Sequence, residues 1–194
     1  MADTMNHIER AVAALGDKPV DRVTAYPLAM GVCRRVVGDG KMTYRDWVSD
    51  PKKFASAFIE GQKRFDFDFA IGLMDLSVAA GDMGSVVRMD DQNTPFVTDP
   101  ALKTVEDYEK LTVPDVKKGR SHVLVEGTGL FVQALGSQVI TAAFLEGPLL
   151  SLTQAASAEK VFMDMYNNRS AVHKALKTIT EYNGDMVKAM GAVK

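Results

Sequence analysis

An acidic residue that follows directly on a buried apolar run is how a parallel α/β protein presents a carboxylate at the C-terminal end of a strand. Asp75 ends such a run. Residues 67–74, FDFAIGLM, are interrupted only by Asp68 near the start and by Gly72. A carboxylate in that place can take a proton or orient a substrate. On pattern alone a second role is preferred, because residues 76–83 can form a short helix with Asp75 as its N-cap. Glu146 repeats the pattern. It closes the apolar stretch 138–145, QVITAAFL, and Gly147-Pro148 follow it. That makes it a candidate substrate contact, with a structural role as the alternative. Asp82 stands seven residues after Asp75 and can share one side of the short helix with it. A paired acid and base is one reading of that spacing, and a solvated or capping residue is the preferred one.

Other chemistry-bearing residues point elsewhere. Cys33 is the only cysteine, which excludes an intrachain disulfide and a multi-cysteine zinc site supplied by this chain. His7, His122 and His173 fall on predicted helices and read as surface or packing residues. Asp90-Asp91 with Asn93 lacks the glycine and distal glutamate of a calcium hand and reads as a turn. Gly38-Asp39-Gly40 is likewise a turn and no phosphate loop. Lys117-Lys118-Gly119-Arg120 reads as a solvated helix face. The formal net charge of −2 gives no electrostatic case for nucleic acid or an anionic membrane. No apolar run approaches the roughly 20 residues that span a bilayer, and the N-terminus lacks a signal-peptide core. A cytoplasmic protein is expected.

The elements that must position these residues alternate along the chain. With 194 residues, 46% hydrophobic and 25% charged, the chain suffices for one domain with a sizeable core. Met5, Ile8, Val12 and Leu15 mark one face of a helix over 4–15. Residues 23–30 read as a first buried strand. A short helix is expected from Thr43 and a longer one from Ser49 or Asp50, with Pro51 in its first position. The second strand is 67–74. Residues 85–92 read as extended, 94–102 as a proline-containing loop, and Thr104 opens a short helix. A helix over 116–135, weakened by Gly127 and Gly129, leads to a third strand over 138–145. Helices over 149–156, 158–166 and 170–190 complete the chain. Strands separated by helices longer than themselves predict a parallel sheet with right-handed crossovers.

Four stretches together give the chain a family likeness: ERAVAALGDKPVDRV, FDFDFAIGLMDLSVAAGDMG, TPFVTDPALKTVEDYEKLTVPD, and the long segment from EGPLLSLTQAASAEK to the final MVKAMGA. In order and spacing they resemble the uroporphyrinogen decarboxylase superfamily, which also holds corrinoid-dependent methyltransferases. The resemblance implies a (β/α)₈ TIM barrel, of which this chain matches an N-terminal part with about three parallel strands and flanking helices, apparently truncated. It also implies that Asp75 is catalytic. The decarboxylases carry an M-R-Q-A-G-R motif after their first strand; in Met30-Gly31-Val32-Cys33-Arg34-Arg35, Arg35 matches its second arginine and Gly31 replaces the first. They carry a tyrosine after the third strand, where this chain has Gln154.

These departures favour the methyltransferase branch. Its members move a methyl group between a corrinoid protein and a small-molecule donor or thiol acceptor, in some members with a zinc-bound thiol. The zinc ligands of those members come from the second half of the barrel, so the resemblance implies no metal and no cofactor in this chain itself. Arg35, Glu146 and Gln154 are the implied substrate contacts. The alternatives are porphyrinogen decarboxylation and a non-catalytic half-barrel. A sheet cut from a barrel has a bare edge, so a homo-oligomer with a large apolar interface is expected.

Overall fold

The computed structural model describes residues 3–193. Asn6 and Glu9 form a capping box that starts helix α1 (His7–Leu15). Arg10, on the inner side of α1, is fully buried. Its guanidinium donates to Asp21 at 2.6 Å and to Asp68 at 2.6 Å. Asp68, also fully buried, further accepts from His7 Nδ1 at 2.8 Å, from Arg22 at 2.7 Å and from the backbone N–H of Ala25 at 2.7 Å. Buried charges survive only when so paired. This cluster ties the N-terminal segment to the start of the sheet.

The first expected strand does not form. Residues 23–30 pair with no strand: their one backbone hydrogen bond to the sheet segment is from Asp68 N–H to Ala25 C=O, and Ala29 C=O accepts from Val32 N–H in the turn that follows. The Asp68 carboxylate takes the Ala25 N–H that a ladder would need, and Pro27 has no N–H to give. Val23, Tyr26 and Leu28 consequently remain exposed. A 3-10 helix over Met30–Val36 follows.

Thr43 and Asp46 box the start of α2 (Tyr44–Ser49), and Asp50 caps α3 (Pro51–Phe65) by accepting from the N–H groups of Lys52 and Lys53. Helix α3 feeds β1 (Phe69–Gly72), which is buried throughout. Then come α4 (Val78–Asp82), an antiparallel hairpin of β2 (Val86–Arg88) and β3 (Phe96–Asp99), α5 (Val105–Lys110), α6 (Gly119–Leu135) and β4 (Ile140–Ala143). Strand β3 lies inside the expected loop, bounded by Pro95 and Pro100. Strands β1 and β4 pair in parallel, Phe69 opposite Ile140 and Gly72 opposite Ala143. Helices α7 (Pro148–Ala156), α8 (Ala158–Asn167) and α9 (Arg169–Ala192) follow.

The two faces of this sheet are treated differently. Ala70 points into the larger core, where Trp47, Phe54 and Phe58 of α2 and α3 meet Leu124 and Phe131 of α6. Helices α3 and α6 approach closely because Gly127 is bare: a Cβ there would lie 2.5 Å from the Phe54 ring. Phe69 and Ile71 face the other way and share a small cluster with Ala11, Ile140, Ala142 and Phe144. A further core joins Tyr108, Leu152, Val161, Val172 and Ile179 from α5, α7, α8 and α9. Strand β4 is only half-buried, because β1 is the one strand beside it among the described residues. No helix there is long and apolar enough to cross a membrane.

The Asp68 cluster makes stability acid-sensitive. Burial pushes the Asp68 carboxyl up, but the Ala25 N–H, His7, Arg22 and Arg10 outweigh it and hold it at about 2. A depressed carboxyl stabilises the fold above its ordinary value near 4, and that contribution is lost as pH falls through about 2. Asp68→Asn is therefore expected to cost about 3–5 kcal/mol at neutral pH, as when a buried pair is broken. Denaturant unfolding from pH 7 to 2 should show the difference from wild type shrinking below pH 4.

Candidate active site

Asp75 and Glu146 each stand three residues beyond the register pair Gly72–Ala143. Parallel pairing therefore delivers both carboxylates at the C-terminal ends of neighbouring strands, where barrel chemistry is placed. The Asp75 side chain is fully buried. Its Oδ1 accepts from Ser77 N–H at 2.9 Å, Ser77 Oγ at 2.6 Å and Arg120 Nη1 at 3.2 Å, while Oδ2 accepts from Arg120 Nη2. Arg120 Nη1 also donates to Ser77 Oγ at 3.0 Å. Asp75 is thus a forked ion-pair partner. Ser77, and not Asp75, occupies the N-cap position of α4, although the Asp75 carboxylate orders the turn that leads into it.

Arg120 reaches Asp75 because of how α6 begins. The helix has no side-chain cap from its own N-cap residue, Lys118. Asp82 caps it from α4 instead, accepting from Arg120 N–H at 3.0 Å and Ser121 N–H at 3.2 Å. Gly119 allows the approach: its φ is +58°, and a Cβ there would lie 2.2 Å from Asp82 Oδ1. Tyr182 O–H donates to Asp82 Oδ2 at 3.0 Å, and burial followed by the Asp82 charge holds that phenol well above its usual value. Asp82 is a capping residue, as preferred from the sequence, but it caps another helix than its own.

Among the described residues no cation pairs with the Glu146 side chain. The residue is 7% exposed, its backbone C=O accepts from Asn183 Nδ2 at 2.8 Å, and its Oε2 has no hydrogen-bond partner among the described residues. Burial, then the Asp75 charge, push its carboxyl up to about 8, with Ser151 and Arg120 offsetting only part. Glu146 is therefore biased towards its protonated, uncharged form. It shares with Asp75 a crevice of about 20 Å³ that Leu73, Phe144, Ser151 and Tyr182 also line. That is room for about one water-sized group. The arrangement combines a neutralised carboxylate–guanidinium pair with a neutral proton donor.

Arg35 and Gln154 lie apart from this crevice. Gln154 is half-buried on α7 and does not line it. Exposed Arg35 borders a surface depression with Glu60, Lys63 and Arg64. Those last residues end α3, four residues before β1 starts, so Arg35 sits at the opposite end of the strand from Asp75. Grouping Arg35 with Asp75 assumed that residues 23–30 were a strand delivering Arg35 at its C-terminal end. The segment is no strand, and the 3-10 helix after it packs on α3 through Cys33 and Gly61.

Arg120 corrects the sequence reading in the other direction. Lys117 and Lys118 are solvated as expected, but the Arg120 side chain is only 13% exposed. A signal existed: a cation in the first turn of a helix opposes the helix dipole and calls for a nearby carboxylate. Among the described residues no three His, Cys, Asp or Glu side chains converge as metal ligands. Burial pushes the Cys33 thiol up to about 11, which makes it a poor zinc ligand. The zinc of thiol-using methyltransferases does not fit these residues.

Glu146 gives stability a pH dependence opposite to that of Asp68. A carboxyl raised above its ordinary 4.5 favours the fold below that value, and the contribution fades as pH rises towards 8. Glu146→Gln should therefore gain stability relative to wild type between pH 5 and 8, read as a flatter plot of unfolding free energy against pH. Gly119→Ala should cost about 1–3 kcal/mol, from the left-handed backbone alone.

Comparison with known proteins accords with this geometry. The sequence profile named uroporphyrinogen decarboxylase (URO-D) matches residues 6–192. A methylcobamide:CoM methyltransferase MtbA of Methanosarcina acetivorans is 23% identical over 183 residues, covering 94% of this chain and 54% of that protein. Its namesake in Methanosarcina mazei is 22% identical over 184 residues, with the same coverage. A solved methyltransferase from Methanosarcina mazei superposes with a TM-score of 0.78 at 22% identity, over 95% of this chain and 56% of the other. The chain spans about half the length of the curated relatives it matches, and the parallel α/β arrangement is that of about half of a methyltransferase TIM barrel. With the match running through nearly every element from α1 to α9, the chain belongs to the uroporphyrinogen decarboxylase (URO-D) family.

Proposed function

We propose that this chain forms the N-terminal part of a methyltransferase barrel that moves a methyl group between a corrinoid protein and a small-molecule donor or thiol acceptor. The observation that carries the reading is the joint placement of Asp75, Arg120 and Glu146 at the carboxyl ends of two paired parallel strands, in a family whose matched relatives are methylcobamide:CoM methyltransferases. Asp75, held by Arg120 and Ser77, is the residue proposed to orient the substrate. Glu146 is its neighbour in contact with the polar end of the same molecule. The missing pair of contacts, a first-motif arginine and the third-strand tyrosine, removes the groups that would hold a polycarboxylated porphyrinogen.

The direct test mixes the polypeptide carrying this chain with methylated corrinoid protein and a small thiol, and follows the corrinoid absorbance as the methyl group leaves. Methyl transfer supports the reading. Carbon dioxide release from a porphyrinogen, without methyl transfer, overturns it. Asp75→Asn alone leaves a buried guanidinium short of charge and should lose stability as well as activity. Asp75→Asn with Arg120→Met removes both charges together. It should unfold within about 1 kcal/mol of wild type yet transfer methyl at least about 100-fold more slowly.

A further inference from the structure

Glu146 has a role that its burial and its strand register together define. It is more than nine-tenths buried, and its Oε2 finds no partner among the described residues. An unpaired buried polar atom is costly unless something fills its hydrogen bond. The crevice it shares with Asp75 has room for one water-sized group. Arg120, the cation whose charge acts on Glu146, is largely committed, although its buried Nε, like Glu146 Oε2, has no hydrogen-bond partner among the described residues. Both terminal nitrogens of Arg120 are spent on Asp75, and one of them also on Ser77. The other lining groups are apolar or uncharged, apart from Asp75: Leu73, Met74, Phe144, Ser151, Tyr182 and Asn183. Ser151 and Arg120 favour a second carboxylate anion beside the first too weakly to offset burial and the Asp75 charge, which matches the raised carboxyl described above.

We infer that Glu146 is the proton carrier of the site, the acid that protonates the oxygen or sulfur atom from which a methyl group departs. The inference rests on the methyltransferase reading and deepens it. As the bond between the methyl carbon and that heteroatom breaks, the methyl group goes to a nucleophile supplied by the partner corrinoid protein, whose electron pair forms the new bond. The old bonding pair stays on the oxygen or sulfur, which takes the proton of Glu146 and leaves as an alcohol or thiol. Glu146 is left as a carboxylate beside Asp75, and solvent returns its proton before the next turnover. In the opposite direction the carboxylate receives the proton that a thiol acceptor must lose. Asp75, ion-paired with Arg120, disfavours the Glu146 anion and so favours delivery of the proton to the leaving group.

The test varies the leaving group. The polypeptide carrying this chain, with its reduced corrinoid protein, is given two methyl donors: 4-nitroanisole, whose phenolate leaves readily without a proton, and 2-methoxyethanol, whose alkoxide needs one. Glu146→Gln should slow demethylation of 2-methoxyethanol about 100-fold or more and that of 4-nitroanisole less than about fivefold. Glu146→Asp should restore part of the loss. The wild-type rate with 2-methoxyethanol should fall about tenfold per pH unit above pH 8, and the Gln variant should lose that slope. A defect equal for the two donors, or an unchanged pH slope, overturns the proton role while leaving methyl transfer in place. Carbon-13 titration of Glu-labelled protein gives a readout independent of turnover. One carboxyl should titrate near pH 8, vanish in Glu146→Gln and move down in Asp75→Asn. If no carboxyl titrates above pH 6, the inference is wrong. Titration near pH 8 with no demethylation of either donor overturns the methyltransferase reading and the proton role with it.

Discussion

The register of β1 against β4 is the constraint on which the rest depends. Parallel strands keep corresponding residues level along their length, so two acids at equal distances beyond one register pair emerge side by side. A slip of one residue would turn the alternate side chains of β4 to the other face and separate Glu146 from Asp75. Both faces of the pair specify the register. Ala70 packs beneath the helices, while Phe69 and Ile71 meet Ile140, Ala142 and Phe144.

Two side-chain networks then fix the ends of β1. At its start, Asp68 gathers α1, Arg22 and the segment at Ala25 around one buried carboxylate. Beyond its end, Asp75 is joined to α6 by Arg120, and α6 is joined to α4 by Asp82. The first network has every acceptor satisfied by cations and N–H groups, which suits a structural role at the N-terminal side of barrel strands. The second leaves Glu146 Oε2 without a partner among the described residues, which suits a place where another molecule supplies the missing bond. Similar charges at the two ends therefore carry different consequences.

Asp82 shows how a distant contact sets local chemistry. By capping α6 from outside, it places the first turn of that helix beside β1 and turns Arg120 towards Asp75. Gly119 and Tyr182 hold the cap on either side. This arrangement supplies a forked cation to the buried Asp75 carboxylate, and the Asp75 charge is one cause of the raised Glu146 carboxyl. The acid–base character of the crevice thus arises in a turn of helix 45 residues away from Asp75 in sequence.

The sequence by itself determined the local pieces. Thr43, Asp50 and Pro51 mark helix starts that formed as expected, because caps and proline geometry act within a few residues. The apolar runs ending at Asp75 and Glu146 identified two strands and two acids, since burial on both faces leaves few polar residues. Family membership was likewise legible from the order of four stretches. Pairing was not. Residues 23–30 look like a strand, but whether they join a sheet depends on which neighbour takes their N–H groups, and Asp68 takes the decisive one. With that strand absent, Arg35 falls at the wrong end of the sheet. Arg120 looked solvated because its lysine neighbours are, and only the docking of α6 under Asp82 buries it. Ionisation of Glu146 depends on burial and on one charge across the sheet, and neither quantity is written in the residues beside it.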